Sequence, residues 1–507
     1  MRKTEQETRE KIEKETIGKT KKEKIRKIIK ETKGMTASIS VYLALMLAVM
    51  LALIMTLLEG IRRQTIRFET ELVMDTGMKS IFAEYNREML KQYGLFLLDT
   101  SYGTVQADSE YTQSHLIRYM NSNFNPPGAK SLGNYKALTG IHADNVQFLE
   151  TSFGSDQQGE VLRYQIIKYM KESYGTDIIC KAVPESADAD AYRNLEDRRN
   201  SNQNRMEELV ENINIEKRAE NEEEISLDNP TEAVDSIRGT PWLTQVYGNS
   251  KNISKQALPK NLVSNRAIEE GWGLQSSQEK PDGMLSQAII LEYLFERCGR
   301  WNDEKESALM KYQLEYLLSG KESDHSNLDE MAGKLFQTRY AINMTHLFSC
   351  GSHQAQAQEL ALVITTAAAQ PELAEAVKIA ILFAWGYAES IQDVRILMDG
   401  NNIEAVKTEA FWNIELSELL TFHGAKDSYQ KPSHGVGYEH YLKLFLFLSF
   451  KDKSVMRLMD LMEMDIRRTP GNSCFRFDKC IYQTKAQVNV SSKSGYGCRI
   501  ERFYSYE

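Results

Sequence analysis

MTASISVYLALMLAVMLALIMTLL, Met35–Leu58, is the stretch that decides how the rest of the chain is read. Its inner part, Val41–Leu58, runs for 18 residues without a charge. At ~1.5 Å per helical residue that run is about 27 Å long, close to the ~30 Å hydrocarbon core of a bilayer. A core helix of a globular domain carries a polar stripe, whereas only Tyr42 and Thr56 interrupt this run. The expectation is a transmembrane helix over 35–58, in contact with membrane lipid.

The charges on either side orient it. Residues 1–34 hold 13 Lys/Arg against 7 Asp/Glu, so a chain of net charge −9 opens with a tail of +6 and continues at −15. A basic tail ahead of an apolar span is the positive-inside pattern, which places 1–34 in the cytoplasm and 59–507 outside. Such a tail also suits anionic lipid headgroups. The acidic outer part argues against nucleic acid as a partner. Glu59-Gly60-Ile61-Arg62-Arg63 lacks the small-x-small site of a cleaved leader, so the span reads as an uncleaved signal anchor.

Helical periodicity continues beyond the span. Met74, Met78, Ile81/Phe82, Tyr85, Met89 and Tyr93 recur at three- and four-residue steps, charged residues fall between them, and Gly94 is a stop. Residues 59–94 therefore read as an amphipathic stem helix continuing the span. Its apolar face needs a partner, either the chain's own outer domain or a neighbouring subunit.

Two further blocks join this one. KGMTASISVYLALMLAVMLALIMTLLEGIR with FAEYNREMLKQYGLFLLDTSYG, then LMKYQLEYLLSGKESDHSNL at Leu309–Leu328, and GYEHYLKLFLFLSF leading to RFDKCIYQTKAQVNV, together resemble a family of single-span Gram-positive membrane proteins of unassigned function. That family is similar at its N-terminus to the TadE/TadG-like components of tight-adherence (Flp-type) pilus systems. The resemblance implies a part of a pilus or secretion machine rather than an enzyme, with other proteins of that machine as partners and lateral self-association through the helix. On that reading the packing residues are Leu47, Met50, Ile54, Met74, Met78 and Phe82. Type IV pilin-like chains are cut after a Gly and carry a Glu five residues on. Lys33-Gly34-Met35 offers the Gly, but the fifth residue is Ile39.

The remaining chain reads as mainly α with a small antiparallel sheet. Residues 95–180 form an α+β segment: loops over 95–135, a strand at Asn145–Thr151, and a helix at Glu160–Tyr174 ended by Gly175. Residues 181–241 are a charged linker or solvated helices. Residues 242–435 form a helical outer domain, with helices at 283–296, Glu304–Leu318, Asp329–Phe348, Ala355–Ala369, Glu372–Met398 and Lys407–Leu420. Ala361–Ala369 and Val377–Tyr387 are each shorter than a span and read as buried helices. Residues 436–507 supply one long helix, Tyr438–Arg468, and a hairpin of Phe475–Val490 with Arg499–Tyr506 that packs on the α+β segment.

Chemistry is sparse. The chain has no phosphate loop, no HExxH, no GxSxG and no CxxC, and no catalytic, cofactor or metal residues are assigned. His434 and His440 read as capping or surface residues. His346 and His353 bracket Cys350, a spacing at which a Cys/His nucleophile pair seldom meets. Cys180 and Cys298, with Cys350, read as buried thiols. An outer location permits a disulfide among Cys474, Cys480 and Cys498, with a bend near Asp478 required for the first two. Two rival functions remain at this stage. A sensory or ligand-binding outer domain would show an apolar pocket within 283–420, and a surface hydrolase would show a polar cleft near His434/His440.

Overall fold

The computed structural model describes all residues except 1, 104–106, 126–139, 176–231, 249–250, 276–277, 279–282, 368–369, 431, 433–434 and 507. Most of the linker over 181–241, Cys180 and His434 thus lie outside the described residues.

The chain opens with one uninterrupted helix, α1, Arg2–Phe82. It is the one helix among the described residues long and apolar enough to cross a membrane. The stem is shorter than its periodicity suggests. α1 stops at Phe82, and α2 (Arg87–Tyr93) restarts after Asn86, whose side-chain oxygen accepts the Met89 N–H at 3.0 Å. That N-cap stabilises a new helix start and so competes with continuation of the first. Gly94 closes α2 in the left-handed region (φ 71°) with its N–H on the Leu90 carbonyl.

Thereafter come β1 (Leu98–Asp99), α3 (Ser109–Phe124), β2 (Ile141–Phe153), α4 (Asp156–Tyr174), α5 (Glu232–Arg238) and α6 (Trp242–Tyr247). Next are α7 (Met284–Arg297), α8 (Gln313–Ser319), α9 (Asp324–Ser349), α10 (Gly351–Ala367) and α11 (Ala374–Met398). The chain ends with α12 (Tyr438–Ser449), α13 (Asp452–Arg467), β3 (Cys480–Ser492) and β4 (Gly497–Ser505). The fold is mainly α with one small antiparallel sheet. In that sheet β3 is central, flanked by β2 on one side and by β1 and β4 on the other. The β1–β3 register is Leu98 to Ile481 and Asp99 to Cys480. Being central, β3 is buried along most of its length, whereas β2 buries alternate residues over its first half.

Four expectations are corrected. Residues 95–135 are not all loop, because Leu116, Met120 and Phe124 fall at four-residue steps and bury one face of α3. Tyr438–Arg468 is two helices, broken where Phe450 and Lys451 turn extended. Of Glu304–Leu318 only α8 is helical; the backbone N–H groups of Lys311 and Tyr312 bond the Asp324 carboxylate instead of a preceding turn. Lys407–Leu420 holds two short 3₁₀ turns, Glu409–Phe411 and Leu416–Thr421, and no α-helix.

The chain divides into two compact units, each discontinuous in sequence rather than a serial segment. The first comprises residues 1–77, 117–146 and 488–500. Its buried apolar residues include Ile66, Met74, Met120, Phe124, Ile141, Val146, Val488 and Ile500. Asn121 pairs with the backbone of Ala143 through two hydrogen bonds of 2.8 and 3.3 Å, and Ser491 donates to Asp144 at 2.9 Å. The second comprises 78–116, 147–487 and 501–507 and contains one extensive apolar core shared by α2, α4 and α6–α13. Within it α9 and α11 approach closely at Gly386, where any β-carbon would collide with Met344.

Candidate functional site

The six packing residues separate into two groups. Leu47, Met50 and Ile54 are 58%, 59% and 49% exposed, open to lipid or to another chain. Met74, Met78 and Phe82 are 0%, 1% and 2% exposed. The stem's apolar face is therefore already covered by the chain itself, and these three positions are not offered to a neighbouring subunit. Phe82 sits in an aromatic cluster. Its ring lies 4.6 Å from Tyr504 and 4.9 Å from Tyr506, and the Tyr506 hydroxyl donates to the Phe82 carbonyl at 2.8 Å. Phe96 stacks on Tyr506 at 5.7 Å and meets Tyr85 edge-on at 5.0 Å. The last residues of the chain thus clasp the place where α1 ends.

The helical domain holds a buried ionic network. Arg339 on α9 is fully buried, with Nε 3.0 Å from Asp393 of α11 and an Nη1 donating to Tyr441 and to the Glu404 carbonyl. Lys407 contacts Asp393 at 2.7 Å and Glu389 at 2.5 Å, and Asn343 donates to Asp393 at 2.9 Å. Two cations face two carboxylates, so the charges balance. Burial pushes the Asp393 carboxyl up, but Lys407 and Arg339 outweigh it and hold it below the usual carboxylate range. Burial likewise works against the Lys407 ammonium, and Asp393 with Glu389 overcome it and raise its pKa. Asn343, a glycosylation-type sequon in the sequence, is spent inside this network.

At the α9–α10 corner, His346, Cys350 and His353 lie together, at i, i+4 and i+7 along the chain. α9 ends at Ser349, Cys350 is extended (φ −90°, ψ 109°), and α10 restarts at Gly351, so the three side chains straddle a helix break. Their donor atoms all lie within 4.8 Å of one another. Trp412 stacks on His346 at 5.5 Å and Trp385 meets His353 edge-on at 4.7 Å. His346 Nε2, His353 Nδ1 and Trp412 Nε1 are buried without a hydrogen-bond partner, each a cost of about 1–3 kcal/mol when left so. Burial holds both imidazoles below their usual pKa, so they are neutral at pH 7.

The other described cysteines are free thiols. Cys298 is buried, which pushes it up to about 12. The bend near Asp478 exists as a 3₁₀ turn, Phe477–Lys479, fixed by Arg266 and Arg476 on the buried Asp478. No disulfide follows from it: Cys474, Cys480 and Cys498 are all unbridged, Cys480 donating to the Arg476 carbonyl at 3.2 Å. His440 caps α12 by accepting the Gly437 N–H at 3.2 Å. A polar cavity of about 140 Å³ lies among Tyr93, Arg297, Gln313 and Asp465, smaller than the roughly 300–1,000 Å³ of small-molecule sites.

The profile of a family of unknown function, DUF5702, matches residues 220–492, more than half of the chain. No curated protein and no solved structure matches it.

Proposed function

The chain belongs to the DUF5702 family of unknown function, and we propose that it is a membrane-anchored structural or assembly component of a Tad-like (Flp-type) pilus or secretion system. The observation that carries the reading is the division of labour along α1. The described residues of its apolar span are exposed, while Met74, Met78 and Phe82 near its end are buried. On this reading one helix joins lipid to folded protein, and the span is its longest exposed apolar run among the described residues. The resemblance of the N-terminal blocks to TadE/TadG-like components supplies the class of machine. The basic tail supports an N-terminus in the cytoplasm and an outer domain beyond the membrane.

The mechanism is packing rather than chemistry. Span positions Leu47, Met50 and Ile54 contact a partner helix or a second copy, and the stem transmits that placement to the outer domain. Photo-crosslinkers placed singly at these positions and at Met74 and Met78, in native membranes, test this. Span positions should give adducts with membrane proteins of the machine, and the buried stem positions should give none. Adducts confined to Met78, or a chain that leaves the membrane without companions, would refute the reading.

A further inference from the structure

We propose that His346, Cys350 and His353 form a transition-metal site, with Zn²⁺ as the ion it takes. The site is independent of the assembly reading, since it lies at the α9–α10 corner of the outer domain and uses no residue of α1.

Three observations carry it. The donor set is two imidazoles and one thiol, a borderline-to-soft combination that suits Zn²⁺ or copper and not Mg²⁺ or Ca²⁺. The three donor atoms fall within 4.8 Å of one another. Zinc–ligand bonds of ~2.0–2.3 Å set donors roughly 3.5 Å apart, so side-chain rotations that close the group by about 1 Å suffice. Finally, His353 is 4% exposed and its Nδ1 has no partner, and His346 Nε2 is buried in the same condition. Native proteins satisfy nearly all such atoms, and one bound cation satisfies both lone pairs at once.

The surroundings fit. Trp412 and Trp385 wall the rings, and Trp385 is itself fixed by its Nε1 on the Ile414 carbonyl at 2.6 Å. The three side chains leave the fourth position of a tetrahedral ion to water, and Glu409 lies close by, accepting the Ser352 hydroxyl at 2.5 Å. Lys407 is the cation nearby whose charge reaches His346, and it is paired with Glu389 and Asp393. Binding deprotonates Cys350, the proton passing to solvent, and the bound ion links α9 to α10 across the helix break.

The test uses the full-length protein in detergent micelles, stripped by a chelator and titrated with Zn²⁺ alone against a chromogenic competitor. One equivalent should bind per chain. Cys350→Ser should weaken that equivalent at least tenfold, and Co²⁺ in its place should give a thiolate charge-transfer band that the same variant lacks. Because a variant can fail for want of folding, the wild-type chain is also alkylated with and without Zn²⁺ and mapped by mass spectrometry. Zn²⁺ should protect Cys350 and leave the half-exposed Cys474 reactive. If Zn²⁺ leaves Cys350 as reactive as before, or if Cys350→Ser binds zinc as the wild type does, the site does not exist.

Discussion

Phe82→Ala is the substitution that separates anchor from outer domain most cleanly. The ring is 2% exposed and touches two tyrosines at 4.6 and 4.9 Å. Truncating a buried Phe costs about 3–5 kcal/mol through lost transfer energy and the cavity left behind. Each 1.4 kcal/mol is a factor of ten, so opening of the clasp formed by 82–96 and 501–506 should become roughly 10²–10³ times more frequent. The span is untouched, so membrane insertion should be normal. Hydrogen exchange on micelle-solubilised protein reads this directly, as lost protection of α2 and of the last strand. Leu47→Ala, at a 58% exposed position, is the control and should leave exchange unchanged. An increase of less than tenfold for Phe82→Ala, or loss of membrane insertion, would show that the stem is not held where its burial places it.

Three other outcomes are expected. Lys407→Met strands Asp393 and Glu389 without their shared cation and should destabilise the outer domain by about 3–5 kcal/mol in urea titrations, against at most about 1 for Lys378→Met in its partly exposed pair. Glu315 is fully buried, its Oε1 accepting from Tyr438 and from the Trp301 N–H, and burial raises its pKa despite those bonds. A raised folded-state pKa binds more protons in the fold, so the contribution of Glu315 is complete below its unfolded value and declines as pH rises through the folded one; Glu315→Gln should flatten that decline in denaturation midpoints taken from mildly acidic to neutral pH. Impermeant maleimide on intact cells should label Cys474, and labelling only after permeabilisation would reverse the proposed orientation.

What was legible in the sequence is whatever repeats locally. The span needs only an uncharged run, the outer end of α1 only apolar steps at Met74, Met78 and Phe82, and the β3–β4 hairpin only alternation around Ser491–Gly497. What escaped depends on partners far along the chain. Residues 302–312 look helical by composition, yet their backbone is taken by carboxylates elsewhere: Asp465 accepts the Leu309 N–H at 2.7 Å and Asp324 those of Lys311 and Tyr312. The same device recurs. Glu389 accepts the N–H groups of Asn413 and Ile414, Asp460 that of Ser264, Glu463 that of Phe477, and Asp156 those of Phe153, Gly271 and Gly273. In most of these cases a buried acid on a helix orders a segment outside the helices and strands, and a local reading counts that acid as solvated surface. The acidic excess beyond residue 58 is thus partly internal scaffolding rather than a statement about partners. The α9–α10 corner follows the same logic with different chemistry. There too a helix break lies among the side chains, here at i, i+4 and i+7, and His346 Nε2 and His353 Nδ1 have no hydrogen-bond partner. Elsewhere in the helical domain loops are held by carboxylates of the chain itself, and at this corner the proposed ion would be the ordering group.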